Sequence, residues 1–357
     1  MASTRFENRY FRFENRVKNG IINLTMIYSR RVAHKFRKQV VRARGSSVLT
    51  RKDKHTMKAY ARKRFGSGGY WPYLAYYTEV RGHYVDGWVP YDYYRYKLLP
   101  KINPQYSCEI SEHKTYDHRI FPDFAITPLF IFVSGIYMDA GFRHVGTEEV
   151  RKFLHDYNDF IVVKEERGTH GLQVKVMQST EFNPDSLVRH LNYIIQPFVK
   201  QYSTIQELYP HSVNTFRILT YLRPDSSVAV KLSILRFGVD GSRIDNLSAH
   251  GQFIHFDEAG KASEQAYDIL GLPMGTKHKN TGFVYADFSI PMYGEILEKC
   301  KEAHNNFPYV RLVGWDVCVN EKGEPKLIEW NADNPGFHEL EALFGPFFPD
   351  NEEIFIK

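Results

Sequence analysis

The order of hydrophobic and polar positions predicts a helical start followed by a mixed α+β body. Within residues 1–65, apolar residues recur at helical spacing among many Arg and Lys residues: Val32, Phe36, Val40 and Val41. The glycine-rich residues 66–69 interrupt this pattern, and an aromatic stretch follows over residues 70–96. We therefore expect a basic helical region, then a short break, then an aromatic segment.

From residue 147 onward the pattern alternates between helices and strands. Thr147 and the two acids after it are typical of a helix start, and apolar residues follow at helical spacing: Val150, Phe153, Leu154 and Tyr157. Strands are predicted over residues 160–164, 193–199, 217–222 and 228–237, and helices over residues 185–192 and 291–306. In the last helix, Ile296, Leu297 and Cys300 are expected to point inward.

Near the C-terminus, two predicted strands surround a tight turn. A turn centred on Lys322 and Gly323 places Asp316 opposite Glu329, and strand alternation puts Asn331 on the same face as Glu329. Like charges directly opposite each other destabilise a sheet, and a bound divalent cation reverses that effect. The pattern thus indicates a metal site. Two solvated acids on an edge strand are the alternative, and a shift of the turn by one residue would separate the pair.

Composition adds limits on the class of protein. The 357 residues, 43% hydrophobic and 25% charged, are typical of a soluble globular protein with two or three lobes. Three widely spaced cysteines disfavour a disulfide framework and a cysteine-based zinc site. The N-terminus does not resemble a secretory signal, and the longest apolar run, residues 126–138, is too short to span a bilayer. A cytoplasmic location is expected.

The net charge of +6 is unevenly distributed along the chain. Residues 1–65 hold nineteen Lys or Arg and three acids, whereas the remainder holds twenty-eight Lys or Arg and thirty-eight acids. A basic arm on an acidic body is typical of proteins that contact nucleic acid, an anionic membrane surface or a phosphorylated substrate. A solvated helix or a protein-binding face is the alternative.

Upstream of the hairpin, one segment suits phosphate binding. Lys164 ends a predicted strand, and the glycine-containing loop at residues 168–171 leads to a second strand. Glycines let backbone N–H groups approach phosphate oxygens, and the lysine adds a point charge. The P-loop pattern is absent from the sequence, and an ordinary glycine-containing hairpin is the alternative.

Two further segments suit the rest of a nucleotide. The end of an apolar strand contains Gln196, Phe198 and Val199, and its backbone groups can pair with an adenine edge. A plain buried strand is the alternative. The third segment contains Arg217, Lys231, Arg236, Asp245 and Asn246. Arginine suits carboxylate and phosphate recognition, so these cations predict an anion clamp if they share a face. Surface strands rich in Lys and Arg are the alternative.

The order of these motifs resembles the ATP-grasp superfamily and, within it, the group associated with sugar transfer and polysaccharide synthesis. The segments that support the resemblance are residues 211–220, Asp245–Asn246 with Gly251, and residues 328–331 with Pro335–Gly336. It covers roughly residues 100–345 and implies an α+β fold in which two α+β lobes clasp ATP. Four parts are expected: a basic helical region (1–65), a linking subdomain (66–140), the N-lobe (141–205) and the C-lobe (206–357).

The resemblance implies roles for individual residues. Those expected to contact the nucleotide are Lys114, Lys164, Gly168, Thr169, His170, Gly171, Gln196, Phe198, Val199, Lys231 and Asn246. The catalytic cations would be Arg217 and Arg236, which bind the transferring phosphoryl group or the acceptor carboxylate. Two Mg²⁺ ions would be held by Asp316, Glu329 and Asn331, with Glu329 bridging both. The sequence departs from the family pattern at His113, where the family usually has Asp, and at His250, where glycine is frequent.

The activity that the resemblance implies is ATP- and Mg²⁺-dependent carboxylate–amine ligation through an acylphosphate. The expected substrates are a uronic-acid-type sugar and an amino acid or small amine, in capsular or exopolysaccharide biosynthesis. Residues 1–65 would contact an anionic membrane or a polyprenyl-pyrophosphate-linked glycan at the inner face of the membrane, and nucleic acid is disfavoured. The alternatives are a sugar kinase and a non-catalytic ATP-binding scaffold for glycan or nucleic acid.

Overall fold

A computed structural model of the protein describes residues 2–167, 174–242, 245, 247, 251–336 and 338–348. Its helices are α1 Ala2–Arg44, α2 Arg51–Phe65, α3 Trp71–Arg81, α4 Tyr91–Tyr93, α5 Leu99–Ile102, α6 Gln105–Cys108, α7 Asp117–Ile120, α8 Thr147–Tyr157, α9 Ser203–Leu208, α10 Tyr293–Asn306 and α11 His338–Phe344. Its strands are β1 Phe130–Val133, β2 Ile136–Met138, β3 His144–Val145, β4 Phe160–Glu165, β5 Val174–Gln178, β6 Tyr193–Pro197, β7 Thr215–Leu222, β8 Val228–Phe237, β9 Gln252–His255, β10 Leu312–Val319 and β11 Pro325–Asn331.

These elements belong to two compact units. The first contains Met1–Ile102, Leu270–Leu272 and Phe337–Lys357, and the second contains Asn103–Ile269 and Pro273–Gly336. Every strand in the described part of the chain belongs to the second unit. The four-part division expected from the sequence stays a prediction.

In the first unit, local sequence signals determine where the basic helices begin and end. Thr50 precedes α2 and forms a capping box with Asp53: the Thr50 hydroxyl accepts from the Asp53 backbone N–H at 3.1 Å, and the Thr50 N–H donates to Asp53 Oδ2 at 2.8 Å. Gly66 ends the helix with a φ of 76°, a left-handed conformation that favours glycine. The predicted helical region and the break after it are confirmed.

The second unit begins with a six-stranded antiparallel sheet in the order β3-β2-β1-β6-β4-β5. Helix α8 packs on one face of this sheet through Val150 and Leu154, which are buried against Ile161, Val163 and Ile195. The helix predicted at residue 147 and the strands predicted at 160–164 and 193–199 are confirmed in position. On β4, Lys164 alternates with Val163 and therefore lies on the face away from α8.

The helix predicted over residues 185–192 is wrong. The structure has a short 3₁₀ turn at Pro184–Ser186, and Leu187 is already extended with a ψ of 140°. The Asn183 side chain accepts from the Asp185 backbone N–H at 3.1 Å, and the Ser186 hydroxyl donates to the Asn183 carbonyl at 2.7 Å. Short polar side chains of this kind compete with helical hydrogen bonds, so the segment forms turns instead.

The second sheet has five antiparallel strands in the order β11-β10-β7-β8-β9. The paired strands predicted around Pro224 are confirmed as β7 and β8. On one face, Trp315 and Trp330 stack with ring centroids 6.0 Å apart, in the same core as Ile296 and Cys300 of α10. Leu297, predicted to point inward, is only partly buried. Strand alternation therefore leaves Asp316 and Glu329 on the opposite face.

The hairpin of β10 and β11 keeps the predicted acid pair despite a different turn. The loop contains three residues, because the Asn320 N–H bonds to the Glu324 carbonyl at 3.0 Å and Gly323 has a φ of 83°. Next to this loop, Val317 lies opposite Leu327, one position away from the predicted register. A bulge between Asp316 and Val317 then shifts the pairing by one residue, so Asp316 lies opposite Glu329 as predicted.

A buried histidine in this unit predicts acid sensitivity. His304 of α10 is fully buried; its Nδ1 lies 2.7 Å from the Thr220 hydroxyl and its Nε2 lies 3.0 Å from the Val310 carbonyl. Burial lowers the pKa of His304 from 6.5 to about 4. The unfolded chain therefore binds a proton before the folded chain does, so stability falls as the pH decreases between those values.

We expect His304 to contribute about 3 kcal/mol of stability at pH 7 that is lost by pH 4. Urea unfolding of the wild type and of His304→Gln at several pH values measures this, and the variant should lose less stability over that window. His155→Gln, at an exposed histidine of α8, is the matched control. Equal pH slopes for the wild type and His304→Gln would contradict the assignment.

Candidate functional site

A row of charged residues crosses the polar face of the five-stranded sheet. Glu329 of β11 lies opposite Asp316 of β10, which in turn lies opposite Arg217 of β7. On the next strand, Arg236 lies opposite Thr215 of β7, which alternation places on the same face as Arg217. The register thus brings together the two predicted catalytic arginines and two of the predicted metal ligands.

Asp316 is the centre of this row. The Arg217 guanidinium donates to it in a bidentate pair, with Nε at 2.5 Å from Oδ1 and Nη2 at 2.9 Å from Oδ2. Arg236 Nη2 lies 3.1 Å from the same carboxylate. Burial acts to raise the pKa of Asp316, but the two arginines hold it below its ordinary value. The repulsion between the two acids therefore does not by itself require a metal, because these arginines also relieve it.

Arg236 also contacts Asp245, an acid that the sequence placed beside the predicted site residue Asn246. Arg236 Nε lies 3.7 Å from Asp245 Oδ2, and Arg236 Nη2 donates to the Thr215 hydroxyl at 2.7 Å. The Thr215 backbone N–H and hydroxyl both donate to Asp245. Burial raises the pKa of Asp245, whereas Arg236 and Thr215 act against that shift. Asp245 and Asp316 thus hold the Arg236 guanidinium from two sides.

Two lysines lie near Glu329. Lys114 Nζ is 3.7 Å from Glu329 Oε1 and 3.4 Å from the carbonyl oxygen of Glu166, which follows β4. Lys164 interacts electrostatically with the Glu329 carboxylate and with the Lys114 ammonium group. Burial lowers the pKa of Lys164, and the Glu329 carboxylate acts in the opposite direction. The structure therefore places Lys114 beside the predicted metal ligand Glu329, with Lys164 close enough to interact electrostatically with it, and the binding roles of both lysines stay predictions.

Asp117 also lies at this site, and its sequence context did not predict that position. Trp330 Nε1 donates to Asp117 Oδ1 at 2.8 Å, and the acid is buried. Burial raises the pKa of Asp117 to about 8, with Glu329 acting in the same direction and both lysines acting against it. The only local signal is its position three residues after Lys114, in a segment of short helical turns. Its neighbour Trp330 is more than two hundred residues away in the chain, so no local pattern indicates the contact.

Glu166 is a second residue at this site that no sequence motif indicated. Its carboxylate accepts from the Asn192 amide at 2.7 Å and from the Thr115 hydroxyl. His113, the departure from the family pattern, has its Nδ1 at 3.5 Å from Glu166 Oε1. These contacts fasten the segment that carries Lys114 to the end of β4, so Glu166 positions that lysine.

The predicted adenine-binding residues lie at the end of β6. Gln196 shares a face of the first sheet with Lys164, because it pairs with Val162 on β4. Its side-chain amide is already used, since Nε2 donates to the Ile126 carbonyl at 3.1 Å. Phe198 follows the strand, and its N–H donates to the Phe160 carbonyl at 3.1 Å. Adenine contacts by Gln196, Phe198 and Val199 stay predictions.

The remaining predicted residues fall into two groups. Lys231 does not lie with the arginines. Its Nζ is 5.7 Å from the centre of the Tyr221 ring, toward the end of β7 and β8 that is remote from Arg236, where the register of the two strands shifts. The three-cation clamp is therefore corrected to a pair of arginines, because the bulge and the strand length separate the lysine from them. Gly168, Thr169, His170, Gly171, Asn246 and His250 lie outside the described residues.

The side chains around Glu329 fit a magnesium ion in kind. Asp316 and Glu329 supply carboxylates and Asn331 supplies an amide oxygen, which are the oxygen ligands that Mg²⁺ prefers. Asn331 Nδ2 is buried without a hydrogen-bond partner among the described residues, so no neighbour in that part of the chain fixes the orientation of the amide. In the same part of the chain, no three His, Cys, Asp or Glu side chains converge on one point. In the predicted magnesium site, the third ligand beside the carboxylates of Asp316 and Glu329 would therefore be the Asn331 amide oxygen.

Gly314 makes room for Arg217. A Cβ atom at this position would lie 2.9 Å from Arg217 Nη1 and 3.6 Å from Arg217 Cδ. We expect Gly314→Ala to displace the Arg217 guanidinium and to lower catalytic activity about tenfold. The loss of stability should be about 1 kcal/mol or less, because only the end of a flexible side chain must move. Gly294→Ala is the matched control, since no atom lies within 4 Å of its Cβ position. Unchanged activity in Gly314→Ala would contradict a role for the Arg217 geometry.

Residues 179–341 match the family described as sugar-transfer associated ATP-grasp. The matched segment contains the whole five-stranded sheet, whereas Lys114 and Lys164 precede it. This match confirms the resemblance that the order of the motifs predicts. The mixed α+β structure with two antiparallel sheets and a helical N-terminal region has an ATP-grasp fold, and residues 179–341 are similar to the sugar-transfer associated group.

Solved structures that are similar to the chain at low identity include the following three proteins. The ATP-grasp ligase PsnB is 13% identical with a TM-score of 0.36, over 68% of this chain and 56% of that chain. The L-amino acid ligase from Bacillus licheniformis is 13% identical with a TM-score of 0.37, over 63% and 41%. The biotin carboxylase from Campylobacter jejuni is 9% identical with a TM-score of 0.39, over 65% and 42%. The chain spans about half the length of these proteins.

No curated protein matches the chain. Across the described residues, no helix has both the length and the apolar character that crossing a membrane requires.

Proposed function

We propose that the protein is an ATP- and Mg²⁺-dependent carboxylate–amine ligase. The observation that carries the proposal is the charged row of Glu329, Asp316 and Arg217, with Arg236 and the two lysines beside it. Both the triphosphate and the acid substrate are anionic, and four cationic side chains around these acids suit their binding. The sugar-transfer description of the family supports a sugar among the substrates. We propose a uronic-acid-type sugar as the acid and an amino acid or small amine as its partner, in capsular or exopolysaccharide biosynthesis.

In the proposed reaction, a carboxylate oxygen of the acid attacks the γ-phosphorus of ATP. The bond between that phosphorus and the β,γ-bridging oxygen breaks, and ADP leaves. The amine nitrogen then attacks the acyl carbon of the acylphosphate, the bond from that carbon to the phosphate oxygen breaks, and phosphate leaves. The nitrogen loses its proton to solvent, so the products are an amide, ADP and phosphate.

The protein's part in this reaction is to hold charge in fixed positions. Asp316 fixes Nε and Nη2 of Arg217, so the orientation of the guanidinium is set before substrate arrives. Arg236 is held by Asp316 and Asp245 on the next strand. We infer that Arg217 faces the acceptor carboxylate or the transferring phosphoryl group, and that Arg236 supports it. Lys114 and Lys164 would bind phosphate oxygens, whose negative charge favours the protonated form of a buried lysine.

Magnesium, when bound, would neutralise charge on the phosphate oxygens. Glu329 and Asn331 would hold it together with Asp316. Of the two acids, Glu329 is the more accessible, because its side chain is 35% exposed and that of Asp316 is 8% exposed. We therefore propose that Glu329 contributes more of the metal binding, and that Asp316 serves mainly to orient the arginines.

A crossed panel of substrates tests the proposal. The protein is incubated with Mg-ATP and pairs of uronic acids and amines, and ADP, free phosphate and product mass are followed. Ligation predicts phosphate release that requires both an acid and an amine, and a product heavier than either. Arg217→Met should abolish this activity, whereas Arg223→Met, at an exposed arginine after β7, should not change it.

Other outcomes of the panel would contradict the proposal. A stable phosphorylated sugar without free phosphate would identify a kinase. ATP binding without ADP formation in any combination would favour a non-catalytic scaffold.

A further inference from the structure

Helix α1 has an apolar stripe on one side. Four large apolar side chains of this helix are exposed: Ile21 (56%), Leu24 (69%), Ile27 (48%) and Tyr28 (68%). Residues three and four positions apart lie on the same side of a helix, so the four form one continuous surface. The other side of the helix is buried in the first unit through Met26, Ala33 and Val40. The apolar stripe is therefore not the face that α1 uses to pack.

The same side of α1 continues as a row of exposed cations, the cationic stripe: Arg31, Lys35, Lys38 and Arg42. Residues 21–65 contain fourteen Lys or Arg and a single acid, Asp53. In the described structure, two of these cations pair with buried acids of the same unit, Arg30 with Asp92 at 2.9 Å and Arg37 with Glu79 at 3.2 Å. The cationic stripe lies on the opposite side of the helix from these pairs.

We propose that α1 docks the protein on an anionic lipid surface. The apolar stripe would lie at the boundary between headgroups and acyl chains, and the cationic stripe would contact anionic headgroups. Tyr28, with an apolar ring and a polar hydroxyl, suits that boundary. From Ile21 to Arg42 the contact would be about 30 Å long, at 1.5 Å per helical residue.

The combination of the two stripes favours a membrane over the other anionic partners. Nucleic acid or a soluble polyphosphate would pair with the cations but would leave the apolar stripe in water. A second copy of α1 is also disfavoured. Parallel pairing would bring the two cationic stripes together, and antiparallel pairing centred on the apolar stripes would leave both cationic stripes without an anionic partner.

Vesicle sedimentation of the full chain tests this proposal. Vesicles of phosphatidylcholine alone are compared with vesicles that contain about 30 mol% phosphatidylglycerol. The protein is expected to sediment with the anionic vesicles and not with the neutral ones, and about 0.5 M salt should weaken that binding. The measurement is independent of catalytic turnover, so it stands or fails separately from the proposed ligase activity.

Two double variants separate the contributions of the stripes. Leu24→Gln with Tyr28→Gln removes apolar surface, and Lys35→Gln with Arg42→Gln removes charge. Each should lower the partition coefficient at least about tenfold. All four side chains are exposed, so the thermal unfolding temperature should not change. The matched controls are Tyr309→Gln, at a tyrosine with the same 68% exposure as Tyr28, and Lys277→Gln with Lys322→Gln, at exposed lysines elsewhere.

Three results would overturn the proposal. The first is absence of binding to anionic vesicles. The second is binding that the apolar double variant leaves unchanged while an oligonucleotide competes it away, which would identify a nucleic-acid surface. The third is a dimer in light scattering that becomes a monomer in the apolar double variant without any vesicle binding, which would assign the apolar stripe to a second copy of the chain.

Discussion

Glu329→Gln should lower the rate of ADP formation at least about a hundredfold while leaving the fold intact. The substitution keeps the size of the side chain and removes the negative charge that lies 3.7 Å from Lys114 Nζ and opposite Asp316. Removing one preorganised electrostatic contact from an active site typically lowers the catalytic rate by about two to three orders of magnitude, so the expected loss is the lower end of that range. The measurement is the turnover of the best substrate pair at several Mg²⁺ concentrations.

The same hairpin offers the control for this variant. Glu321→Gln changes an exposed glutamate in the loop between β10 and β11 and should leave both turnover and thermal stability unchanged. Because the Glu329 side chain is one-third exposed, its loss should have little effect on the unfolding temperature. Wild-type turnover in Glu329→Gln at all Mg²⁺ concentrations would contradict the metal-binding role.

Asp316→Asn should destabilise the protein as well as inactivate it. The aspartate is buried, and it is the shared partner of the guanidinium groups of Arg217 and Arg236. Removing one member of a buried ion pair leaves the other charge without compensation, which typically costs about 3–5 kcal/mol. We therefore expect a loss of that size in the free energy of unfolding, measured by urea titration at pH 7.

A surface acid provides the comparison for this stability effect. Asp240 is exposed and pairs with Lys279, and Asp240→Asn should not change the unfolding free energy measurably. The two aspartates thus separate a buried pair from a solvated one. An Asp316→Asn variant as stable as the wild type would show that the arginines do not depend on this acid.

The two predictions differ because the two acids of the hairpin have different surroundings. From the sequence, Asp316 and Glu329 are equivalent members of one like-charged pair. In the structure, Asp316 is neutralised by arginines from neighbouring strands, whereas Glu329 remains partly exposed beside Lys114. Loss of Asp316 should therefore affect folding and activity together, and loss of Glu329 should affect activity alone.

The hairpin also shows how much of the structure strand periodicity can predict. Alternation and the glycine turn predicted that Asp316 and Glu329 face each other, and the register confirms it. The turn itself was predicted with the wrong length. The pair is preserved by a bulge, because one extra residue in β11 shifts the register back by one position. Local patterns do not encode such a bulge, since it depends on how β11 pairs with β10.

Other contacts were beyond prediction because they join distant segments. The contact between Asp117 and Trp330 depends on how the segment of short helices before the first sheet lies against the second sheet. The correction at Lys231 has a similar cause: spacing along β8 did not reveal that a register shift and several residues separate it from Arg236. The helix predicted at 185–192 is different, since there the turn-forming residues Asn183 and Ser186 are neighbours in the sequence and their local hydrogen bonds replace those of a helix.

By itself, the sequence determined the helical basic region, most strands, the acid pair of the final hairpin and the resemblance to a sugar-transfer associated ATP-grasp domain. These features depend on periodicity, turn residues and motif order, all of which are properties of neighbouring positions. Only the tertiary structure decided that Asp316 is held by Arg217 and Arg236, and that Lys114 lies beside Glu329. Those contacts follow from the strand order β11-β10-β7-β8 and from the packing of the short-helix segment that carries Lys114 against β11, which bring together residues that are far apart in the chain.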